Sequence, residues 1–161
     1  MKIIITLFSF LIYAQSAFTQ KLNVDSILQK IAIEKDDDKK VDLVISFYVP
    51  KFEGNPNLII ETGNKLLIQS QKNNDLIGLS SANSFMAQGY RLVVSRVKSL
   101  EYHHKALELA ERKGNQNLLS LVTTMLGHLY KDVEENEKAI SFYLLAEQYS
   151  IKGTNEKAKI S

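Results

Sequence analysis

Two adjacent histidines, His103 and His104, are the first side chains in this sequence that could act in catalysis or bind a metal ion. Neighbouring residues on a helix point about 100° apart, so the two rings cannot share one ligand. Glu101 and His104 form a Glu-x-x-His pair on one helix face, a spacing that carboxylate-bridged di-metal sites use twice. The chain has a single such pair. We therefore expect His103 to be a half-buried packing residue, and we predict no metal site.

The sequence lacks the other residue patterns that enzymes use. No serine lies in a nucleophile-elbow pattern, and no glycine-rich loop precedes a helix to hold a phosphate. The acidic run 36–38 lacks the alternation and the glycine of a calcium loop, so we expect it to cap a helix in solvent. The absence of cysteine excludes disulfides, thiolate metal sites and a cysteine nucleophile. We predict that the chain is not an enzyme and takes no cofactor.

The composition is that of one helical domain without a charge bias. The chain has 161 residues, among them 20 basic and 18 acidic side chains. This balance gives no electrostatic case for nucleic acid, which binds to clustered basic surfaces. There are only 7 glycines and 2 prolines, fewer turn residues than a multi-stranded sheet protein needs. The composition therefore favours helices.

Residues 1–19 have the three-part layout of a secretory signal peptide. Lys2 precedes an uncharged apolar run over 3–13, and small and polar residues follow. As a helix this run spans about 16 Å, too short to cross about 30 Å of hydrocarbon. Cleavage after Ser16 or after Thr19 satisfies the small-x-small rule. We expect export to the periplasm or cell envelope, the alternative being a short buried helix, and no membrane span later in the chain.

A period of forty residues runs through the rest of the sequence. Residues 100–106 align with 140–146, and 60–66 form a weaker copy at the same spacing. Each copy reads as two helices, because apolar residues recur at helical spacing. The pattern predicts helices near 23–35, 38–53, 56–72, 75–94, 97–113, 116–132 and 137–151, with a further start at 155.

Residues that favour helix ends lie at the expected positions. Asn115 and Asn136 are predicted N-caps, since a short side-chain oxygen accepts a free N–H of the first turn. Gly114 and Gly153 are predicted to end helices, because glycine adopts the left-handed conformation at no steric cost. Pro50 is expected to kink or end its helix.

The last full copy combines small and large residues in a fixed pattern. Leu126-Gly127-x-x-Tyr130 precedes Ala139-x-x-x-Tyr143-x-x-Ala146. This copy resembles the tetratricopeptide repeat, which has small and large residues at these offsets. The middle copy matches in part, through Met86-Ala87-x-x-Tyr90 followed by Ser99, His103 and Ala106. The first copy is degenerate, since Ser46-Phe47 and Pro50 stand where the family pattern has other residue types.

The resemblance implies an all-α fold, a right-handed α–α superhelix of about three helix pairs with an added N-terminal helix over 20–37. The repeats would cover 38–161, as about 38–74, 75–114 and 115–154, with a fourth starting at 155. HEAT repeats share the period and are the structural alternative, which the small–large pattern disfavours. An uncapped array exposes an apolar face, so we expect a longer protein or a partner at that end.

In this family the first helix of each repeat lines a groove that binds peptides. The corresponding positions here carry aromatic, amide and cationic side chains, which suit an extended or helical peptide with acidic character. The alternative is an ordinary solvated or half-buried face. The lysine and asparagine clamp of the chaperone-binding members is absent, which argues against a co-chaperone. The groove residues carried over by this resemblance are Tyr48, Lys51, Phe85, Gln88, Arg91, Thr124, His128 and Lys131.

The overall layout resembles the exported repeat region of bacterial sensor and signalling proteins. This implies a protein-interaction module, the input part of a signal-transduction protein whose output machinery is absent from this sequence. A free periplasmic scaffold or assembly factor is the alternative, and an enzyme subunit would need catalytic residues from another chain. The expected partners are a protein or peptide, a downstream output domain, or a second copy at the C-terminal end, and not nucleic acid.

Overall fold

The computed structural model describes residues 24–51 and 55–160, with the side chains of all but 47–51 and 157–160. The predicted signal peptide lies outside the described residues. All regular structure in the described part is helical, which confirms the all-α class. None of these helices is long and apolar enough to cross a membrane. The helices are α1 over 24–33, α2 Asp37–Lys51, α3 Pro56–Asn73, α4 Leu76–Leu92, α5 Arg96–Lys113, α6 Gln116–Asp132 and α7 Asn136–Ile160.

Several helix ends follow the capping chemistry of the sequence. Asn115 Oδ1 accepts the N–H of Leu118 at 2.9 Å and caps α6, which confirms the prediction. Gly114 ends α5 with a φ of 73°, the left-handed conformation predicted for it. The α2 helix runs to Lys51, one residue past Pro50, and 52–54 lie outside the described residues, so the effect expected of Pro50 stays a prediction.

The last helix is longer than the sequence pattern predicted. A helix end was predicted at Gly153 and a new repeat at 155, but α7 continues without a break to Ile160. Gly153 is buried inside the helix, where an added Cβ would lie only 2.7 Å from Asn117 Oδ1. This glycine therefore allows a close approach to α6 and does not end a helix. Asn136 is the first residue of α7 and not its N-cap.

The forty-residue period returns in the structure as a repeated aromatic contact. Tyr90 stacks on Tyr102 with ring centroids 5.4 Å apart and planes 4° apart. Forty residues later, Tyr130 stacks on Phe142 at 5.3 Å and 5°. Because each stack joins two consecutive helices, α4 and α5 form one pair and α6 and α7 form its equivalent.

Two buried or half-buried serines repeat in the same way. Ser80 Oγ donates to the carbonyl oxygen of Ala106 at 2.7 Å, and Ser120 Oγ donates to that of Ala146 at 2.9 Å. Each bond crosses from the first helix of a pair to the second. The two helices of each pair are therefore aligned in the same way in both pairs. The forty-residue period of the sequence corresponds to a repeated helix pair in the structure.

The turns within the two pairs also share one backbone conformation. Val94 and Glu134 both have positive φ, 58° and 62°. The N–H of Val94 donates to Arg91 O and that of Glu134 to Lys131 O, each at 3.1 Å. Left-handed backbone at a β-branched residue is unusual, so the turn is set by the repeat and not by its own residue types.

The N-terminal helix packs on α3 through its apolar face. Val24, Leu28 and Ile31 are buried in a cluster that also contains Ile59 and Leu66 of α3. The Lys65 Nζ lies 2.9 Å from Asp25 Oδ1 at the edge of this contact. The α1 helix therefore covers one side of α3.

The second helix makes a contact beyond the period. Its first-copy position makes it the partner of α3, with which Val44 shares a buried cluster, but α2 also packs against both α4 and α6. Val41 is fully buried in the cluster that includes Ile77, Leu118 and Val122. The α2 helix therefore lies across two successive pairs, and this position decides how much of the predicted groove is open.

Candidate functional site

The surface to consider is the side of α4 and α6 that faces α2, here called the α4–α6 face. It carries all the predicted groove residues outside α2. The α4 and α6 helices contact each other, and α2 contacts both. The described part of α2 therefore covers the half of this face near the starts of α4 and α6. The half near their ends, where His128 and Lys131 are exposed among the described residues, is here called the open half.

Apolar side chains of α2 seal the covered half. Val41 and Val44 are fully buried, and Ile45 is half-buried against the same core. Val44 belongs to one cluster with Phe85 of α4, and Leu121 of α6 packs against that cluster. Burial of such side chains contributes about 1.5–3 kcal/mol each, so α2 is firmly attached.

Polar contacts fix the start of α2 at the starts of α4 and α6. The Lys40 Nζ lies 2.8 Å from Oδ2 of Asp75, the N-cap of α4. Asp38 Oδ1 accepts two amide N–H groups, from Asn115 at 3.0 Å and from Asn117 at 2.8 Å. Because these contacts join residues about 35–80 positions apart, sequence spacing gave no signal for them.

A polar cavity of about 470 Å³ lies beside these contacts. At this cavity the Lys113 Nζ lies 2.6 Å from Asp37 Oδ2. The acidic run 36–38 was predicted to be solvated, but Asp37 forms this ion pair and Asp38 accepts the two amide hydrogen bonds. Asp36 Oδ1 accepts the N–H of Lys39 at 2.9 Å, which confirms the helix-capping part of that prediction. The cavity is bounded by residues of 35–38, 113–117, Gly153 and Glu156.

Phe85 does not face solvent, contrary to its place in the predicted groove. Its side chain is 0% exposed, in the cluster between α4, α1 and α2. Gln88 is also buried, and its Oε1 accepts the Nε–H of Arg91 at 2.9 Å. Phe85 is covered because it shares this cluster with Val44 of α2. Neither side chain is accessible to a partner in this arrangement of the described helices.

The open half is built around Arg91. Its guanidinium forms an ion pair with Asp132 at the end of α6, and the Arg91 side chain is only 18% exposed. Its second bond, to Gln88, holds the group in one orientation. Since Asp132 is much more exposed than Arg91, the pair presents a carboxylate above an anchored cation.

His128 and Tyr143 form the second part of the open half. The Tyr143 hydroxyl lies 2.9 Å from His128 Nδ1, and the rings meet edge to face at 5.5 Å. Partial burial, followed by the charge of Arg91, lowers the pKa of His128. Burial, followed by the charge of Asp132, raises the pKa of Tyr143. At neutral pH the pair is an uncharged hydrogen-bonding surface beside the Arg91–Asp132 pair.

Of the other predicted groove residues, Lys131 and Thr124 have described side chains. Lys131 is exposed at the end of α6, and no ion pair with a described residue is found for it. Thr124 is half-buried, and its hydroxyl donates to Ser120 O at 2.8 Å. The side chains of Tyr48 and Lys51 lie outside the described part. The structure thus brings together Arg91, His128 and Lys131 at one end of the face.

His103 is more deeply placed than the sequence indicated. It is a packing residue, as predicted, but it is fully buried rather than half-buried. Its Nδ1 lies 2.9 Å from Ser99 O, and no described residue offers its Nε2 a hydrogen bond. Burial lowers the pKa of His103 to about 4, so the imidazole is neutral at pH 7.

The Glu-x-x-His pair on α5 takes no part in a cluster. Glu101 Oε1 lies 2.6 Å from Lys105 Nζ, and His104 is exposed. Across the described residues, no group of three or more His, Cys, Asp or Glu side chains is arranged to hold a metal ion. The chemistry that the described face offers is hydrogen bonding and ion pairing with a ligand.

Comparison with known proteins identifies no relative. No family model matches the sequence, and neither a curated protein nor a solved structure matches it significantly.

Proposed function

We propose that this chain is a protein-interaction module of the tetratricopeptide type that binds an acidic peptide at the open half of the α4–α6 face. The observation that carries the proposal is the Arg91–Asp132 pair. Arg91 is anchored by Gln88 and half-buried, yet the carboxylate paired with it is surface-exposed. A carboxylate of a partner would bind Arg91 in place of the Asp132 carboxylate. Lys131 and His128 lie beside this position.

The contacts within the second pair support the tetratricopeptide assignment. Gly127 lies directly under the Tyr143 ring, since an added Cβ would be 2.5 Å from Tyr143 Cε1. Ala139 and Ala146 are both buried. These are the small and large positions of the resemblance, so their close packing supports the proposal. The superhelical path of the pairs is part of the proposal, and an experimental structure of the array would test it.

The binding proposal is tested by selecting ligands from a random peptide library on the immobilised chain. We expect enrichment of peptides with Asp or Glu. The Lys131→Glu change should weaken the selected peptides about tenfold or more through charge repulsion, with little change in melting temperature. Lys72→Glu is the matched control, an exposed lysine that also lies in the last turn of its helix, on α3. Enrichment without acidic residues, or equal losses for both variants, would remove this face from the proposal.

We also propose export, with the module serving as the input part of a signalling protein, and a free periplasmic scaffold or assembly factor as the second candidate. The sequence of residues 1–19 supports export. N-terminal sequencing of the protein recovered from the cell envelope should begin at Ala17 or Gln20. An intact Met1 in that fraction would contradict it. The reading frame beyond Ser161 separates the two roles, because about 20 apolar residues there favour the sensor and a stop favours the scaffold.

A further inference from the structure

The Arg91–Asp132 pair joins the ends of two helices. Arg91 lies in the last turn of α4, and Asp132 is the last residue of α6. The Arg91 side chain is 18% exposed, whereas that of Asp132 is 49% exposed. Gln88 Oε1 also accepts the Nε–H of Arg91 at 2.9 Å. The guanidinium is therefore held by its own helix, while the carboxylate paired with it stays half in solvent.

The stability of the fold does not explain an aspartate at this position. A carboxylate at the C-terminal end of a helix lies at the negative end of the helix dipole, which disfavours it. An ion pair with a half-exposed partner also adds little to stability. The α6 helix is already attached through Leu118, Val122 and Leu126, all of them fully buried. The fold would therefore lose little without the Asp132 carboxylate.

The repeat does not require a carboxylate there either. The forty-residue counterpart of Asp132 is Leu92, which is 43% exposed at the end of α4. The counterpart of Arg91 is Lys131, so the cation recurs from one pair to the next and the carboxylate does not. Asp132 is therefore a feature of this site and not of the repeated packing.

Asp132 and a ligand carboxylate need the same guanidinium. A carboxylate that binds Arg91 breaks one ion pair for the one that it makes, and its apparent affinity is reduced by the fraction of chains in which Arg91 is free. Lys131 and His128 are close enough to add contacts. Partial burial and then the charge of Arg91 lower the pKa of His128, the charge of Asp132 raises it and that of Lys131 lowers it. All three charges are thus within electrostatic range of one imidazole.

We propose that Asp132 determines the specificity of this site by competing with the ligand for Arg91. A lone carboxylate then binds weakly, and a ligand displaces Asp132 only when it also contacts Lys131 or His128. The inference rests on the proposed function, because it concerns the same binding face. It describes the ligand as a peptide segment whose acidic side chain is accompanied by further polar or charged groups.

Acetate, a lone carboxylate, is the probe that tests the competition. It is titrated into the full chain at constant ionic strength, and binding is followed by NMR of the His128 ring. Asp132→Asn should lower the dissociation constant for acetate about fivefold, because Arg91 is then free. Glu134→Gln is the matched control, since it removes an exposed carboxylate two positions further on, outside the Arg91 pair. The ring of His104, exposed on α5, reports general salt effects.

The titration of His128 separates competition from a purely structural effect. Because the charge of Asp132 raises the pKa of His128, Asp132→Asn should lower this pKa, and acetate bound at Arg91 should raise it again. Adding Arg91→Gln to Asp132→Asn should remove the response to acetate. Asp132→Ser, which removes the same charge with a smaller side chain, should give the same gain as Asp132→Asn.

Two outcomes would overturn the competition. One is that Asp132→Asn and Asp132→Ser bind acetate no more tightly than Glu134→Gln. The other is a gain that persists after Arg91→Gln, which would place the acetate elsewhere. Peptide selection with Lys131→Glu tests the binding face itself and needs no change at Asp132. Failure of the competition therefore leaves acidic peptide binding measurable, and a gain for acetate does not depend on any selected peptide.

Discussion

The inner pair, α4 and α5, and the outer pair, α6 and α7, solve one packing problem with different residues. In the outer pair Gly127 lies under the ring of Tyr143. In the inner pair the corresponding residues are Ala87 and His103, both fully buried, and Ser99 Oγ donates to Ala87 O at 2.9 Å. The inner pair thus has the smaller ring, that of His103, beside the larger residue, Ala87. The repeat conserves the filled volume and not the residue types, as close-packed interiors require.

The pairs also differ in how completely they are enclosed. The α4 helix is buried on nearly every side, because α2, α3, α5 and α6 all pack on it. The α6 helix keeps an exposed edge at His128 and Lys131. His128 is therefore accessible for binding, whereas its counterpart in the inner pair, Gln88, is buried.

A charge placed inside each pair should reveal this difference most strongly. Ala106→Arg should destabilise the chain by about 5 kcal/mol, because Ala106 is fully buried with α4 on one side and α6 on the other. Ala146→Arg should cost about 3 kcal/mol, since α7 packs on α6 and has an exposed opposite side where the guanidinium can reach solvent. Urea denaturation measures both, with Glu108→Arg on the exposed side of α5 as the control. A small effect at Ala146 would show that the repeat register is wrong.

Acid should act on the inner pair more than on the outer one. The pKa of His103 is about 4 when folded and about 6.5 when unfolded, so the unfolded chain binds the proton first. Stability should therefore fall from pH 6.5 to 4, by about 3 kcal/mol in full. Arg91 and the neighbouring His104 both oppose protonation of the ring.

The measurement is urea denaturation at pH 7 and at pH 4 on matched variants. His103→Gln should lose less stability over this range than the wild-type chain, because the buried titrating ring is gone. His128→Gln should change the pH dependence in the same direction but less, since the pKa of His128 is also lowered while its ring is exposed. A pH dependence unaltered by His103→Gln would contradict the neutral, buried state of this histidine.

Exchange of the small and large residues tests the volume argument directly. Gly127→Ala should cost about 2 kcal/mol, because its Cβ would overlap the Tyr143 ring by more than helix propensity recovers. Tyr143→His added to Gly127→Ala recreates the inner pair and should restore most of the loss. A double-mutant cycle measures this coupling. Purely additive effects would show that the two positions do not share one space.

The turns should give the smallest effect. Val94 has a φ of 58° and is 73% exposed, so its side chain contributes little packing while its backbone is strained. Val94→Asn should stabilise the chain by about 0.5–1 kcal/mol, because asparagine tolerates the left-handed region. Glu134→Asn in the equivalent turn should gain less, since glutamate is not β-branched. A loss of melting temperature for Val94→Asn would indicate that the valine makes a contact that offsets this strain.

Helix existence, most helix ends and the period could be read from the sequence because they depend on nearby residues. Asn115 and Gly114 act within one turn of the helix ends they define. The same reasoning wrongly predicted a helix end at Gly153, because the role of this glycine depends on Asn117, more than thirty residues away. A glycine that permits a close helix approach and a glycine that ends a helix have the same sequence signal, and only packing distinguishes them.

The candidate site was predicted less completely than the helices. Arg91, His128 and Lys131 lie together at one end of the face because the period placed α4 and α6 side by side. Phe85 and Gln88 were expected beside them, but both are buried, Phe85 in a cluster with Val44 of α2. The repeat pattern assigned α2 to the first groove helix, and no local feature of its residues shows that it lies across two pairs.

The sequence by itself determined an all-helical chain, its forty-residue period and the residue types at the helix crossings, because helical spacing and capping depend on residues only a few positions apart. Tertiary structure alone decided which part of the predicted groove is open. Asp38 with Asn117, and Val41 with Val122, are brought together by chain folding over about eighty residues. Such contacts depend on the summed packing of all the helices, so no short stretch of sequence encodes them.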